Sequence, residues 1–241
     1  MRKLKVYTSA IKNLALLVVL GMVCQAMAQD AATRYTKMAP VEQCRMAERD
    51  AEIALARSAA PDLISRDAEV LVLGRDGFET AVKGKNGFVC IVGRGWTSAP
   101  DSDFWNPKVR VPMCANAAAA RSYFLRISRI SYLILAGRKK AQMEETIAAG
   151  IEKKELPPME PGAMCYMMSK EGYGGYSLPH WPSHLMFFLS DIDPAIWGAD
   201  LPGFPVLGIS DPSEHPTQFV IPTQRWSDGT DDLQAPPHVH P

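Results

Sequence analysis

Three short apolar runs between Ala68 and Arg94 constrain this chain more than any other stretch. They are AEVLVLG, FETAVKG and FVCIVGR, separated by Arg-Asp-Gly and Lys-Asn-Gly. Asp-Gly and Asn-Gly supply the positive φ angles that tight hairpin turns require, and strand-forming residues flank both. The pattern predicts a three-strand antiparallel meander, with Cys90 in the third strand.

The elements around it are set by spacing and proline. Between Pro40 and Pro61, Cys44, Ala47, Ala51, Ala54 and Leu55 recur at helical intervals, which predicts one helix with Cys44 on its buried stripe. Gly95 to Pro112 reads as a loop containing Trp96, Phe104 and Trp105. Eighteen residues is long for a compact domain, so such a loop is tied down or functional. After Cys114, the run ANAAAARSYFLRISRISYLILAG places Tyr123, Ile127, Ile130 and Ile134 on one helical face and ends at Gly137. RKKAQMEETIAAGIEKKEL comes next as a second helix, with Met143, Ile147 and Ile151 on one side, stopped by Pro157 and Pro158. Fourteen of the 19 prolines lie from Pro157 onward, so long helices are excluded there. GAMCYMMS, HLMFFLS, FPVLGI and QFVIPT read as strands.

The N-terminus has the form of an export signal. Arg2, Lys3, Lys5 and Lys12 precede the apolar run Leu14–Val23, and Ala26 and Ala28 occupy the small-residue positions before a cleavage site after Ala28. The apolar run is about half of the ~20 residues a membrane span needs. Cys24 comes after Val23, which is too large for the position before a lipidated cysteine. The expected location is periplasmic or secreted, with no membrane span once the signal is cleaved. Removing 28 of the 241 residues leaves 213, enough for a full core. Of 26 basic and 26 acidic groups, the signal takes four basic ones. The remainder is mildly acidic, without the basic stripe a nucleic-acid partner demands. Cys44, Cys90, Cys114 and Cys165 then remain, and four cysteines admit three pairings.

Several phrases together, ARSAAP, AVKGKNGFVC, WNPKVRVPMC, PGAMCYMMSK and WPSHLMFFL, resemble a group of uncharacterised exported bacterial proteins, over most of the mature chain. A looser similarity runs to shorter exported proteins with an Asn-Gly-aromatic-x-Cys strand followed by Pro-Met-Cys. The resemblance implies export and a Cys90–Cys114 disulfide closing the long loop. It implies no activity. If Cys90 and Cys114 pair, Cys44 and Cys165 are left as a second candidate pair.

No complete catalytic or metal motif accompanies these features. There is no C-x-x-C, no H-E-x-x-H and no G-x-S-x-G. His180 and His184 are four apart, but Pro179 and Pro182 break any helix that would aim both at one ion. EGYGGYS precedes prolines rather than a helix, so it reads as a hairpin loop and not a phosphate cradle. DGTDD lacks the oxygen spacing of a calcium loop. Trp96, Trp105, Tyr173, Tyr176 and Trp181 fall in predicted loops, where binding surfaces are built.

The combined expectation is an α+β fold: an antiparallel β-sheet, made of the three-strand meander plus C-terminal strands, covered on one face by two or three helices. Its parts are a signal peptide (1–28), a flexible N-terminus (29–38), a single domain (39–230) and a disordered tail (231–241). The expected function is non-enzymatic binding of a small apolar or aromatic ligand, or of a partner, through Trp96, Trp105, Tyr173, Tyr176, Trp181 and His184. No catalytic residue, cofactor or metal is assigned. The alternative is a hydrolase or metal-dependent enzyme using His180 and His184.

Overall fold

The computed structural model describes residues 35–98, 101–176, 179–190, 192–210 and 216–233. The predicted signal peptide and residues 234–241 of the predicted tail lie outside them. The chain divides at Lys37/Met38, and the sheet and its helices all belong to the unit that begins at Met38.

Short helices Val41–Cys44 (α1), Arg49–Arg57 (α2) and Asp62–Ser65 (α3) lead into strands Glu69–Leu73 (β1), Phe78–Val82 (β2) and Val89–Gly93 (β3). Gly95–Ser98 (α4) precedes Val111–Ala115 (β4), and then come Ala117–Arg121 (α5), Tyr123–Leu135 (α6) and Lys140–Glu152 (α7). Met164–Met167 (β5), His184–Ser190 (β6), Leu207–Ser210 (β7) and Pro216–Pro222 (β8) complete one eight-stranded sheet, ordered β2-β1-β3-β4-β5-β6-β8-β7. The class is mixed α and β, and every neighbouring pair but one is antiparallel.

The exception corrects the predicted meander. Only the Asp-Gly turn closes a hairpin, with the Gly74 N–H bonded to the Gly77 carbonyl at 2.8 Å. After β2 the chain crosses the start of β1 and enters β3 on its far side, parallel to β1. Gly84 permits the crossing: a Cβ there would lie 2.3 Å from the Glu69 nitrogen. Asn86 then fastens the connection, its Nδ2 donating to the Ile64 carbonyl at 2.8 Å and its Oδ1 accepting from the Phe88 N–H at 3.1 Å. The positive φ of Gly87 serves this crossover rather than a hairpin.

A second correction is β4, which falls where the sequence predicts the end of a loop and the start of a helix. Pro112 conceals it, because proline interrupts a ladder. Here β5 pairs only with Cys114 and Ala115, so Pro112 sits where that side of the strand has no ladder to break.

Helical cover lies on both faces, not one. Ile91, Met113, Cys165 and Phe188 pack beneath Tyr123, Phe124 and Ile127, and the Tyr123 ring stacks on Phe188 at 3.9 Å. Val70, Cys90, Val92 and Cys114 point the other way, beneath Leu55 and Ala56 of α2. Strand alternation divides the apolar runs between two cores. A third cluster joins Ile130, Leu133 and Ile134 to Met143 and Ile147.

The helix predicted across residues 40–61 is broken between Cys44 and Arg49. Its carbonyls are taken from outside the helix. Arg94 Nε donates to the Cys44 carbonyl at 2.6 Å, and Arg110 reaches those of Gln43 and Arg45 at 3.4 and 3.3 Å. Arg94 is 1% exposed and also donates to Glu52 Oε1 at 2.8 Å and to the Val92 carbonyl. Glu52 Oε1 accepts from the Leu73 N–H as well, at 3.1 Å. One buried ion pair therefore ties α1 and α2 to the ends of β1 and β3.

Cys90 and Cys114 face each other in register across β3 and β4 and form a disulfide, 24 residues apart in sequence. A disulfide is compatible with an oxidising, extracellular location. Cys44 and Cys165 are both free and buried, so the second candidate pair does not form. They belong to different clusters: Cys44 lies with Ile134 and Met143, and Cys165 lies beneath Tyr123 and Ile127. Burial raises the thiol pKa of both. Among the described residues, no helix is long and apolar enough to cross a membrane.

Candidate functional site

The segment from Gly95 to Val111 and the segment from Glu171 to His184 meet. Two backbone bonds join them: the Arg110 N–H donates to the Tyr173 carbonyl at 2.9 Å, and the Tyr173 N–H returns to the Arg110 carbonyl at 2.7 Å. Asp103 makes the second clasp. Its carboxylate is buried, accepting from Asn106 Nδ2 at 2.7 Å and from the Tyr176 N–H at 3.1 Å. Glycine is required opposite it. Gly175 has φ +122°, and a Cβ there would lie 2.4 Å from the Asp103 carboxyl carbon.

The junction holds a small cleft walled by Arg110, Pro112, Ser169, Tyr173, His180 and Trp181. Its free volume is about 20 Å³, room for one water-sized group. Trp181 Nε1 is buried and has no hydrogen-bond partner among the described residues. Arg110 is spent on the fold: its guanidinium also donates to the carbonyls of Pro107 and Val109 at 2.8 and 2.7 Å. Burial, reinforced by the like charge of Arg94, lowers its pKa to about 10.

Of the six predicted binding residues, Tyr173 and Trp181 wall the cleft, and Tyr176 and His184 adjoin them. Tyr173 and Tyr176 meet edge to face, 6.5 Å between ring centres, and Trp181 lies 5.9 Å from the His184 ring. Tyr176 is 49% exposed. The other two stand apart. Trp96 is a core residue, buried among Ile130, Leu133 and Ile134, with Nε1 donating to Ser131 Oγ at 3.1 Å. That placement corrects its assignment to a binding surface. Trp105 packs edge-on against Phe104 at 4.6 Å and is not a wall of the cleft.

Both histidine rings lie against backbone carbonyls. The two nitrogens of His180 lie 2.8 and 2.6 Å from the carbonyls of Trp181 and Lys170, and its ring packs edge-on to Trp226. His184 is fully buried, with Nδ1 2.6 Å from the Pro182 carbonyl. Burial lowers its pKa, and the bond to Pro182 opposes that shift. Among the described residues, backbone carbonyls are the only hydrogen-bond partners of either ring. Among those residues, too, no group of three or more His, Cys, Asp or Glu side chains is placed to hold a metal ion.

No family model matches this chain, and no curated protein or solved structure matches it either. The site is therefore read from its own residues. Asp103, Asn106, Ser169 and Trp226 are its unforeseen members. The Asp-x-x-Asn spacing of Asp103 and Asn106 and the paired glycines at 174–175 are the signals that point to a fixed turn and a close approach. A wider hollow, about 400 Å³, lies elsewhere, between α6 and α7, lined by Leu125, Arg129, Tyr132, Thr146 and Leu156.

Proposed function

We propose that this is an exported, non-enzymatic binding protein whose recognition surface is the joined loop face carrying Tyr173, Tyr176 and Trp181. The observation that carries the reading is the double clasp. Asp103 and the Arg110–Tyr173 bridge hold two aromatic loops together in a fixed geometry, which lowers the ordering cost of binding. Tyrosine and tryptophan supply large contact area at such surfaces. The cleft admits no more than the tip of a group, so the occupant is a partner that covers the face. The basic start, the short apolar run and the Ala26-x-Ala28 motif support export, and the disulfide agrees with it. The similarity to exported bacterial proteins belongs to the same proposal.

A second reading is favoured by volume alone. A free apolar or aromatic molecule fits the 400 Å³ hollow between α6 and α7, within the range of ligand pockets, and not the cleft.

Site-specific photo-crosslinking in the native host separates the two. A photoreactive residue at Tyr176 is expected to trap a macromolecule, while one at Leu63, exposed elsewhere, traps none. Adducts at Tyr132 in place of Tyr176 would transfer the function to the hollow.

A further inference from the structure

We infer that the far edge of the sheet carries a separate docking surface for a basic amphipathic helix of a partner protein. Four of the ten exposed large apolar side chains among the described residues fall within residues 196–204: Ile196, Trp197, Leu201 and Phe204. Their exposures run from 43% at Trp197 to 73% at Ile196. Scattered apolar residues are ordinary on a surface, but a concentration of this kind marks an interaction site. The cluster is built, not frayed. A 3-10 turn, Pro194–Trp197, is capped by Asp193, whose Oδ1 accepts from the Ala195 N–H at 2.9 Å. Trp197 stacks on the buried Phe219 of β8 at 4.3 Å. A Cβ on Gly198 would touch both Leu201 and Phe204, at 3.5 and 3.9 Å, so those side chains share one spot.

The form of the partner is set by the edge. β7 is the last strand of the sheet. Asp200 blunts it, donating its N–H to the Val206 carbonyl at 2.9 Å and accepting from the Gly208 N–H through Oδ1 at 3.2 Å. With the Val206 carbonyl and the Gly208 N–H already taken, the start of this edge is closed to a new strand. The contact is therefore made through side chains, as when an amphipathic helix lays its apolar face on a surface.

The charge of the partner is set by the surroundings. Residues 171–224 contain six acidic residues and no lysine or arginine. Asp193 and Asp200 flank the patch, are exposed and have no ion-pair partner among the described residues. A second copy in a two-fold contact would set these acids against their own equivalents. An anionic lipid surface would be repelled. A helix with leucine on one face and lysine at its borders is complementary on both counts.

The test uses the full chain and a labelled 18-residue Leu/Lys amphipathic peptide, read by fluorescence anisotropy. Wild-type protein is expected to bind it, more weakly as salt rises. Ile196→Ser with Phe204→Ser is expected to weaken binding at least tenfold, and Asp193→Asn with Asp200→Asn severalfold, while Leu63→Ser leaves it unchanged. The exposed positions of these side chains preserve the fold, checked by an unaltered Tm. Equal binding of a Leu/Glu peptide, or unchanged affinity in the Ile196/Phe204 variant, overturns the proposal. So does a dimer that this variant abolishes, or vesicle binding that it abolishes, since each names a different occupant.

Discussion

Reducing the Cys90–Cys114 disulfide is expected to cost about 3.5 kcal/mol of stability. The two cysteines are 24 residues apart in sequence, and closing a loop of that size in the unfolded chain removes about 12 cal/mol/K of entropy, or about 3.5 kcal/mol at 25 °C. Reduction isolates this term because it removes the bond and keeps the atoms. Substitution by serine would bury two new hydroxyls beneath α2, so Cys90→Ala with Cys114→Ala is the better genetic counterpart. At a urea m-value of roughly 2 kcal/mol/M, the midpoint should fall by about 1.5–2 M. Tm should fall by about 7–14 °C for a domain of this size. Tryptophan fluorescence reports the transition. A thiol count in denaturant without reductant accompanies it: Cys44 and Cys165 react, and Cys24 makes a third only if the N-terminal segment is retained. Superimposable oxidised and reduced unfolding curves, or reactive Cys90 and Cys114 in the oxidised sample, would refute the reasoning.

Other outcomes can be checked on the same material. Glu52→Ala leaves the buried Arg94 guanidinium without its counter-charge and should cost about 3–5 kcal/mol in urea unfolding, against under 1 for the exposed Arg49–Glu79 pair. Gly175→Ala drives a Cβ into the Asp103 carboxylate. Proteolysis near Tyr176 should therefore accelerate severalfold, and an unchanged cleavage rate would count against the clasp. His184 has a lowered folded pKa, so the unfolded chain binds the proton more readily. Stability is then complete above about pH 6.5 and falls as pH drops below it, a slope that His184→Gln should remove from pH-dependent denaturation curves. N-terminal sequencing of exported protein should begin at Gln29, and a start at Met1 would count against the export signal.

How much of this was legible in sequence depends on the range of the force involved. β6 matches its apolar run residue for residue, and α7 obeys the spacing of Met143, Ile147 and Ile151, because periodicity is local. The position of β3 beside β1 rests on a close approach at Gly84, which no window of neighbouring residues contains. The break after Cys44 is set by Arg94 and Arg110, some 50 and 65 residues away. The same limit governs the site. Aromatic loops are visible as a pattern, and Tyr173 and Trp181 do wall one cleft, with Tyr176 and His184 adjoining them. The loss of Trp96 to the core is not visible, because its pocket is assembled by α6. The buried role of Asp103 depends on Tyr176, 73 positions onward.

Native mass spectrometry of the protein purified from its own host tests the loop face most directly. Wild-type protein should carry a bound partner that Trp181→Ala sheds while its Tm stays within a few degrees. A wild-type spectrum containing the bare chain alone, or a partner retained undiminished by Trp181→Ala, would contradict the assignment of that face to binding.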